Sequence, residues 1–191
     1  MRYRYHYCVA TRAFSKTFVS ILALILKCIF LPRTHAFIVA PAKSQAAKNS
    51  KDKIIEIFQH WPLLKKEIVG GDISDLPGSY GKDYITLTFR NESVLDVVGA
   101  LDSTRGGRRH CGLIDEVRDH DADALNDVII PLMNVNRRMP NGDVNPYEPH
   151  QAQLYMTSAS QKSTYCYGKL IELFEQEIIN PKDAFVWGTS Y

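Results

Sequence analysis

Short apolar runs alternate with longer helical segments along this chain. Seven runs, many of whose residues are β-branched or aromatic, predict buried strands. They are residues 3–10, 36–40, 84–89, 93–98, 111–114, 153–158 and 184–188. The third and fourth runs are separated only by Arg-Asn-Glu, which predicts a hairpin.

Four helices are predicted between these strands, at residues 18–30, 44–60, 123–134 and 164–179. The first is almost wholly apolar, which is typical of a helix buried all round beneath a sheet. Residues 70–81 and the proline-containing stretch 136–150 predict loops. This alternation predicts an α/β fold, with a mostly parallel central sheet flanked by helices and right-handed crossovers.

Residues 105–116 contain the most informative candidate chemistry. A basic turn with two glycines leads into the buried strand 111–114, and Asp115 and Glu116 follow directly. Open α/β sheets bind ligands at the carboxyl ends of their strands, so the pair falls at the binding edge. Two carboxylates there suit nucleotide hydrolysis, with Asp115 near Mg²⁺ and Glu116 activating a water. The alternative is an ordinary strand that ends in a solvated acidic pair.

A phosphate-binding loop is predicted between the first strand and the first helix. Such a loop holds phosphates with backbone N–H groups and the helix N-terminus. Lys16 would reach the β- and γ-phosphate oxygens, and the Thr17 hydroxyl would bind Mg²⁺. The motif expects glycine where this chain has Ala10 and Ser15, so Ser15 must tolerate the backbone geometry of glycine or the loop must differ. Alone, Ser-Lys-Thr before a helix is more typical of an N-cap.

Composition narrows the class of protein. The chain has 191 residues, of which 45% are apolar and 23% charged, as expected for one soluble globular domain. Its net charge of +2 excludes a globally basic nucleic-acid binder, so any such surface must be local. The four cysteines are scattered without paired spacing, which indicates reduced buried thiols rather than zinc ligands or disulfides.

Two further segments allow alternative interpretations. Residues 1–36 have the outline of a secretory signal peptide, although Lys27 interrupts the apolar run and Pro32 suits a cleavage site poorly; a buried helix is the favoured interpretation. Asp119, Asp121 and Asp123 could form a metal cluster, but acids at the start of a helix are more typical of an N-cap and of the helix dipole.

Five short motifs form an ordered set along the chain. They are Thr-Arg-Ala-Phe-Ser-Lys-Thr at 11–17, Ala-Pro-Ala-Lys-Ser-Gln-Ala at 40–46, Thr-Arg-Gly at 104–106, Leu-Ile-Asp-Glu at 113–116 and Thr-Ser-Ala at 157–159. The set resembles the ATPase domain of the large terminase subunit of tailed bacteriophages, the motor that packages viral DNA, over about residues 5–188. In that family the phosphate loop often departs from the glycine pattern and carries an arginine four residues before the lysine, which is Arg12 here.

The resemblance implies a P-loop (RecA/ASCE-like) NTPase fold and a single terminase-like ATPase domain over residues 1–191, without the nuclease domain of RNase H type. Its implied nucleotide-binding residues are Arg12, Ala13, Phe14, Ser15, Lys16 and Thr17. The implied catalytic residues are Glu116 as base with Arg12 and Arg105, the implied magnesium ligands are Thr17 and Asp115, and the implied coupling motif is Thr157, Ser158 and Ala159. Either arginine would neutralise charge on the γ-phosphate.

The resemblance also implies ATP and Mg²⁺ as cofactors and double-stranded DNA, a portal protein and a small terminase subunit as partners. It implies a homo-oligomeric ring on the procapsid in the host cytoplasm, without a membrane. Candidate DNA contacts are Arg108, Arg109, Arg137, Arg138 and Lys162, although such side chains are more often solvated or in salt bridges. Two alternatives are a helicase-like translocase ATPase and a degenerate P-loop domain that only binds partners.

Overall fold

A computed structural model describes residues 2–11, 13–99, 107–158 and 164–189 of the protein. Its strands are β1 (Tyr5–Ala10), β2 (His35–Val39), β3 (Ser79–Tyr80), β4 (Ile85–Thr88), β5 (Val94–Val97), β6 (Cys111–Ile114), β7 (Ala152–Ser158) and β8 (Ala184–Thr189). They form one sheet in the order β3-β4-β5-β2-β6-β7-β1-β8. The seven predicted strands are therefore present, with ends shifted by up to two residues.

The predicted α/β fold with a mostly parallel sheet is confirmed. The six strands from β5 to β8 in the sheet order are parallel, whereas β3 and β4 are antiparallel at one edge. β4 and β5 form the predicted hairpin. The prediction of a loop over residues 70–81 was wrong at its end, because β3 pairs there with β4 through Ser79 and Thr86.

The sheet has a hydrophobic core on each face. Helices α1 (Lys16–Phe30) and α2 (Lys43–His60) pack on one face, and α3 (Thr164–Ile179) and residues 124–133 pack on the other. Consecutive residues of β1 divide between the cores, with Cys8 on the α1 side and Tyr7 on the α3 side. This alternation follows from the two-residue period of a strand. Both faces of β1 are therefore buried, which explains its unbroken apolar pattern.

Helix α1 differs from the prediction in its start and its burial. It begins at Lys16, two residues earlier than predicted, so the helix N-terminus is also the end of the phosphate-binding loop candidate. It is not buried all round, because Val19 is 59% and Phe30 73% exposed. Its core-facing residues, including Leu24 and Ile25, are fully buried, which favours the buried-helix interpretation of this segment. Within the described ranges no helix is long and apolar enough to cross a membrane.

The helix predicted over residues 123–134 is not a regular α-helix. Residues 124–129 form a π-helix, and Ile130–Met133 form a 3₁₀ helix that contains Pro131. Proline has no N–H to donate and its ring clashes with the preceding turn, so a regular ladder cannot continue through it. Asp123 precedes this segment without a side-chain capping hydrogen bond, so that part of the N-cap prediction was wrong. All four cysteines are free and buried, as predicted.

Candidate active site

Three chain segments meet at the carboxyl edge of the parallel strands. The loop after β1 leads into α1, Asp115 and Glu116 follow β6, and Ser158 ends β7. In the sheet β7 lies between β6 and β1, and its register places Ser158 beside Ala10. The order of the strands therefore brings residues that are a hundred positions apart in sequence to one short stretch of edge.

The loop accommodates Ser15, which stands at a glycine position of the motif, through a left-handed backbone. Ser15 has φ of 58° and Ala13 has φ of 67°, a region that glycine enters freely and other residues enter at a cost. Ser15 thus adopts a conformation of the kind that the glycine of the motif would supply. Its side chain makes no capping hydrogen bond, so the N-cap interpretation is not supported. The first N–H groups of α1 have no partner within the helix and suit an anion.

Thr17 and Asp115 are in direct contact. The Thr17 hydroxyl donates to Asp115 Oδ2 at 3.0 Å, and the backbone N–H of Glu116 donates to Asp115 Oδ1 at 3.1 Å. Asp115 is only 8% exposed. Burial raises the pKa of its carboxyl above the ordinary value, while the Thr17 hydrogen bond and the Lys16 charge partly offset the rise. Asp115 is therefore a buried carboxylate that gains from a nearby cation.

Glu116 is held by groups from both neighbouring segments. The Ser158 hydroxyl donates to Glu116 Oε1 at 2.9 Å, and the Ser158 N–H approaches Oε2 at 3.3 Å. Lys16 Nζ lies 3.5 Å from Glu116 Oε1 and donates to the Ser158 hydroxyl at 3.2 Å. Arg118 Nε lies 3.7 Å from Glu116 Oε2. The cation of the loop and the acidic pair after β6 therefore face each other.

Two residues of the site gave no signal in the sequence, Arg118 and His120. Glu116 adopts a left-handed conformation with φ of 50°, and the chain then turns back through a short 3₁₀ helix. This turn returns His120 to the end of β6, where its ring Nε2 lies 2.9 Å from the Asp115 carbonyl oxygen. Because a carbonyl oxygen can only accept, the ring donates from Nε2. Burial lowers the pKa of His120 below its ordinary value.

Several predicted residues cannot be placed. Arg12, Arg105, Ala159 and Lys162 lie outside the described residues. Among the candidate DNA contacts, Arg108 and Arg138 are exposed, and Arg109 pairs with Asp96 at 2.6 Å. Arg137 is buried and pairs with Glu148, so for this residue the salt-bridge alternative holds and it is not available to DNA.

The residues present fit Mg²⁺. A threonine hydroxyl and a carboxylate are the hard oxygen donors that this ion takes, usually with waters and substrate phosphates completing its shell. The part of the chain that the structure describes contains no group of three acidic, histidine or cysteine side chains that could hold a metal alone, which argues against the metal-cluster alternative for Asp119, Asp121 and Asp123. Thr11 Oγ1 and His120 Nδ1 are buried beside the site and have no hydrogen-bond partner among the described residues. Buried polar atoms are usually paired, so these two atoms could each form a hydrogen bond with a ligand or a water.

Comparison with known proteins supports the fold. No family model and no curated protein matches the chain. The large terminase of a thermophilic bacteriophage is similar at a TM-score of 0.62 and 10% identity, over 97% of this chain and 39% of that one. The same protein in complex with ADP gives 0.64 and 11%, over 98% and 40%. The large terminase ATPase domain of Thermus phage P74-26 gives 0.54 and 10%, over 94% and 84%.

These likenesses show the P-loop NTPase fold found in terminase ATPase domains. The chain spans about two fifths of the length of the whole large terminases that it resembles. It spans most of the isolated ATPase domain. At 10–11% identity the likeness concerns the fold alone, so activity has to be argued from the site.

Proposed function

We propose that this chain is the ATP-hydrolysing motor domain of a large terminase, which drives double-stranded viral DNA into a procapsid. One observation carries the proposal: Lys16 and Thr17 at the start of α1 contact Glu116 and Asp115 at the end of β6. A phosphate-binding cation, a hydroxyl and a carboxylate pair at one edge of a parallel sheet form the minimal set for phosphoryl transfer to water. The fold shared with terminase ATPase domains supports the motor role.

In this proposal the start of α1 binds the triphosphate. Lys16 neutralises the β- and γ-phosphate oxygens, and the N–H groups of the helix N-terminus point at the same anion. Thr17 and Asp115 would hold Mg²⁺, and the ion would supply neutralisation of charge on the phosphates. The 3.0 Å hydrogen bond between Thr17 and Asp115 keeps the two oxygen atoms that would bind the ion next to each other.

Glu116 acts as the general base. It accepts a proton from a water whose oxygen forms a bond to the γ-phosphorus while the bond from that phosphorus to the β–γ bridging oxygen breaks, so the products are ADP and phosphate. In the structure the Glu116 carboxylate accepts a hydrogen bond from Ser158 and forms an ion pair with Lys16. Binding of the triphosphate at Lys16 would therefore change the partners of Glu116 and Ser158, and the change would be passed to β7, whose last residue is Ser158. This is the proposed basis of coupling through Thr157, Ser158 and Ala159.

The other proposed roles belong to two arginines outside the described residues and to partner molecules. Arg12 or Arg105 neutralises charge on the γ-phosphate, in the same subunit or across a ring interface. DNA, a portal protein and a small terminase subunit are the proposed partners on the procapsid in the host cytoplasm.

Magnesium-dependent ATP hydrolysis by the wild type and by Glu116→Gln tests the base. We expect a loss of about 10²–10⁴-fold, because general-base catalysis contributes that much. Binding of Mg²⁺–ATP, followed as a thermal shift, should persist in Glu116→Gln and be lost in Lys16→Ala. Glu172→Gln is the matched control, since Glu172 is an exposed carboxylate on α3 that pairs with Lys169.

The hydrolysis rate, the thermal shift and the effect of DNA test different parts of the proposal. Equal hydrolysis by the wild type and Glu116→Gln would remove Glu116 as the base. Absence of any thermal shift with Mg²⁺ and ATP in the wild type would favour the alternative of a P-loop domain that only binds partners. Stimulation of the wild-type rate by double-stranded DNA would support the motor role, and a rate independent of DNA would contradict it.

A further inference from the structure

An exposed aromatic ring lies within the phosphate-binding loop. Phe14 stands two residues before Lys16 and is 42% exposed, although a loop that binds phosphate has no need of an apolar side chain. Its ring centroid lies 5.7 Å from that of Trp187, with the planes inclined at 58°. Phe14 does not belong to either hydrophobic core, so this contact is not explained by core packing.

Trp187 is fixed to the sheet. It lies on β8, whose parallel register with β1 places it beside Cys8, and it packs against the core that α1 also covers. The left-handed residues Ala13 and Ser15 flank Phe14 on the loop side. A rigid strand therefore backs one side of the Phe14 ring, and a tightly turned loop sets its position relative to Lys16.

We propose that Phe14, backed by Trp187, is the platform on which the base of a nucleoside triphosphate stacks. This inference rests on the proposed function. Phe14 and Lys16 are two residues apart, so their Cα atoms lie within about 7 Å of each other. A nucleotide whose terminal phosphates bind at Lys16 can therefore bring its base to the Phe14 ring, whose exposed part offers an apolar surface.

The geometry also defines how the base is held. A base sandwiched between two rings needs two contacts of about 3.5 Å each, which the 5.7 Å separation of Phe14 and Trp187 does not provide. The base therefore stacks on the outer face of Phe14 alone. Stacking uses the π-face that every base has and reads no hydrogen-bonding edge. This platform accepts ATP and GTP alike and favours purines over pyrimidines by stacking area.

The test compares nucleotides with a ligand that has no base. The affinities of Mg²⁺–ATP, Mg²⁺–GTP and Mg²⁺–tripolyphosphate are measured by calorimetry for the wild type, Phe14→Ala, Phe14→Tyr and Phe30→Ala. Base–aromatic stacking predicts that Phe14→Ala weakens both nucleotides by about tenfold or more. Tripolyphosphate affinity should stay unchanged in that variant, and Phe14→Tyr should bind all three ligands as the wild type does.

Phe30→Ala is the matched control, because Phe30 is 73% exposed at the far end of α1, the helix that follows the loop. Its affinities should equal those of the wild type. Unchanged ATP affinity in Phe14→Ala, or an equal loss for ATP and tripolyphosphate, would overturn the platform without contradicting the proposed function. A wild type that binds neither ATP nor tripolyphosphate would overturn the proposed function and this inference together. A strong preference for ATP over GTP would contradict a site that reads only the face of the base.

Discussion

The two edges of the parallel sheet carry buried charge in different ways. At the amino edge, beneath β2 and β6, Lys27 and Arg137 are 6% and 3% exposed and both approach the buried Glu148. Arg137 donates from Nε to Glu148 Oε2 at 2.8 Å and from Nη1 to the Pro32 carbonyl at 2.9 Å. This cluster anchors residues 136–150, and its charges are satisfied within the chain.

At the carboxyl edge the ion pairs of Glu116 are longer than the Arg137–Glu148 pair, and the backbone is strained. Lys16 lies 3.5 Å from Glu116, and Arg118 lies 3.7 Å from it. Ala13, Ser15 and Glu116 all have positive φ. Charged groups that are held by long contacts can change partners when a ligand arrives, whereas the short multidentate contacts of Arg137 cannot do so without loss. We infer that the charged cluster at the amino edge stabilises the domain. The strained backbone at the carboxyl edge lowers stability but holds the side chains of the proposed site in place.

The largest expected effect is at the amino edge. Glu148→Ala should lower the free energy of unfolding by about 3–5 kcal/mol, because it leaves two buried cations without their counter-charge. Urea unfolding followed by circular dichroism measures the change. Glu92→Ala is the control, since the Glu92–Arg33 pair is also a close ion pair but is exposed; its loss should cost less than about 1 kcal/mol. Similar costs for the two variants would remove the distinction between structural and surface charge.

An intermediate effect of opposite sign is expected from Asp115→Asn. Removing the buried charge should raise stability at neutral pH by about 1 kcal/mol, as at other functional sites, while the thermal shift caused by Mg²⁺–ATP should be lost.

Burial raises the pKa of Asp115, so the folded protein binds this proton more tightly than the unfolded chain does. Wild-type stability then rises as pH falls through the raised pKa, and the advantage of the variant shrinks on acidification. Thermal melts over a pH series measure this; an advantage independent of pH would contradict it.

The smallest expected effect is at Ser15. Ser15→Gly should stabilise the domain by about 0.5–1 kcal/mol, because glycine adopts the left-handed conformation at φ of 58° without steric cost. Thermal denaturation without ligand measures the gain. Ser50→Gly, a buried helical serine in α2, should be destabilising instead. A loss of stability in Ser15→Gly would show that the left-handed loop is not the strained element.

Local patterns were sufficient for seven of the strands and for α3, and they singled out the residues of the proposed site. The period of the apolar residues gave α3 to the residue and the β4–β5 hairpin. Lys16, Thr17, Asp115 and Glu116 were identified because lysine and threonine opening a helix, and acids closing a strand, are local arrangements with a known chemical use. The exposed side of α1 at Val19 was not predicted, because an apolar sequence alone cannot tell which face a neighbour covers.

Contacts between distant segments were decided by the tertiary structure. Neither the position of β7 between β6 and β1 nor the pairing of Ser158 with Glu116 is visible in a local pattern. The burial of Arg137 against Glu148 and the return of His120 to Asp115 depend likewise on turns that bring distant or reversed segments together. The sequence by itself determined which residues have the chemistry for a phosphate site. The strand order and three left-handed residues decided that they share one site, because proximity in a parallel sheet depends on which strands are neighbours and not on separation along the chain.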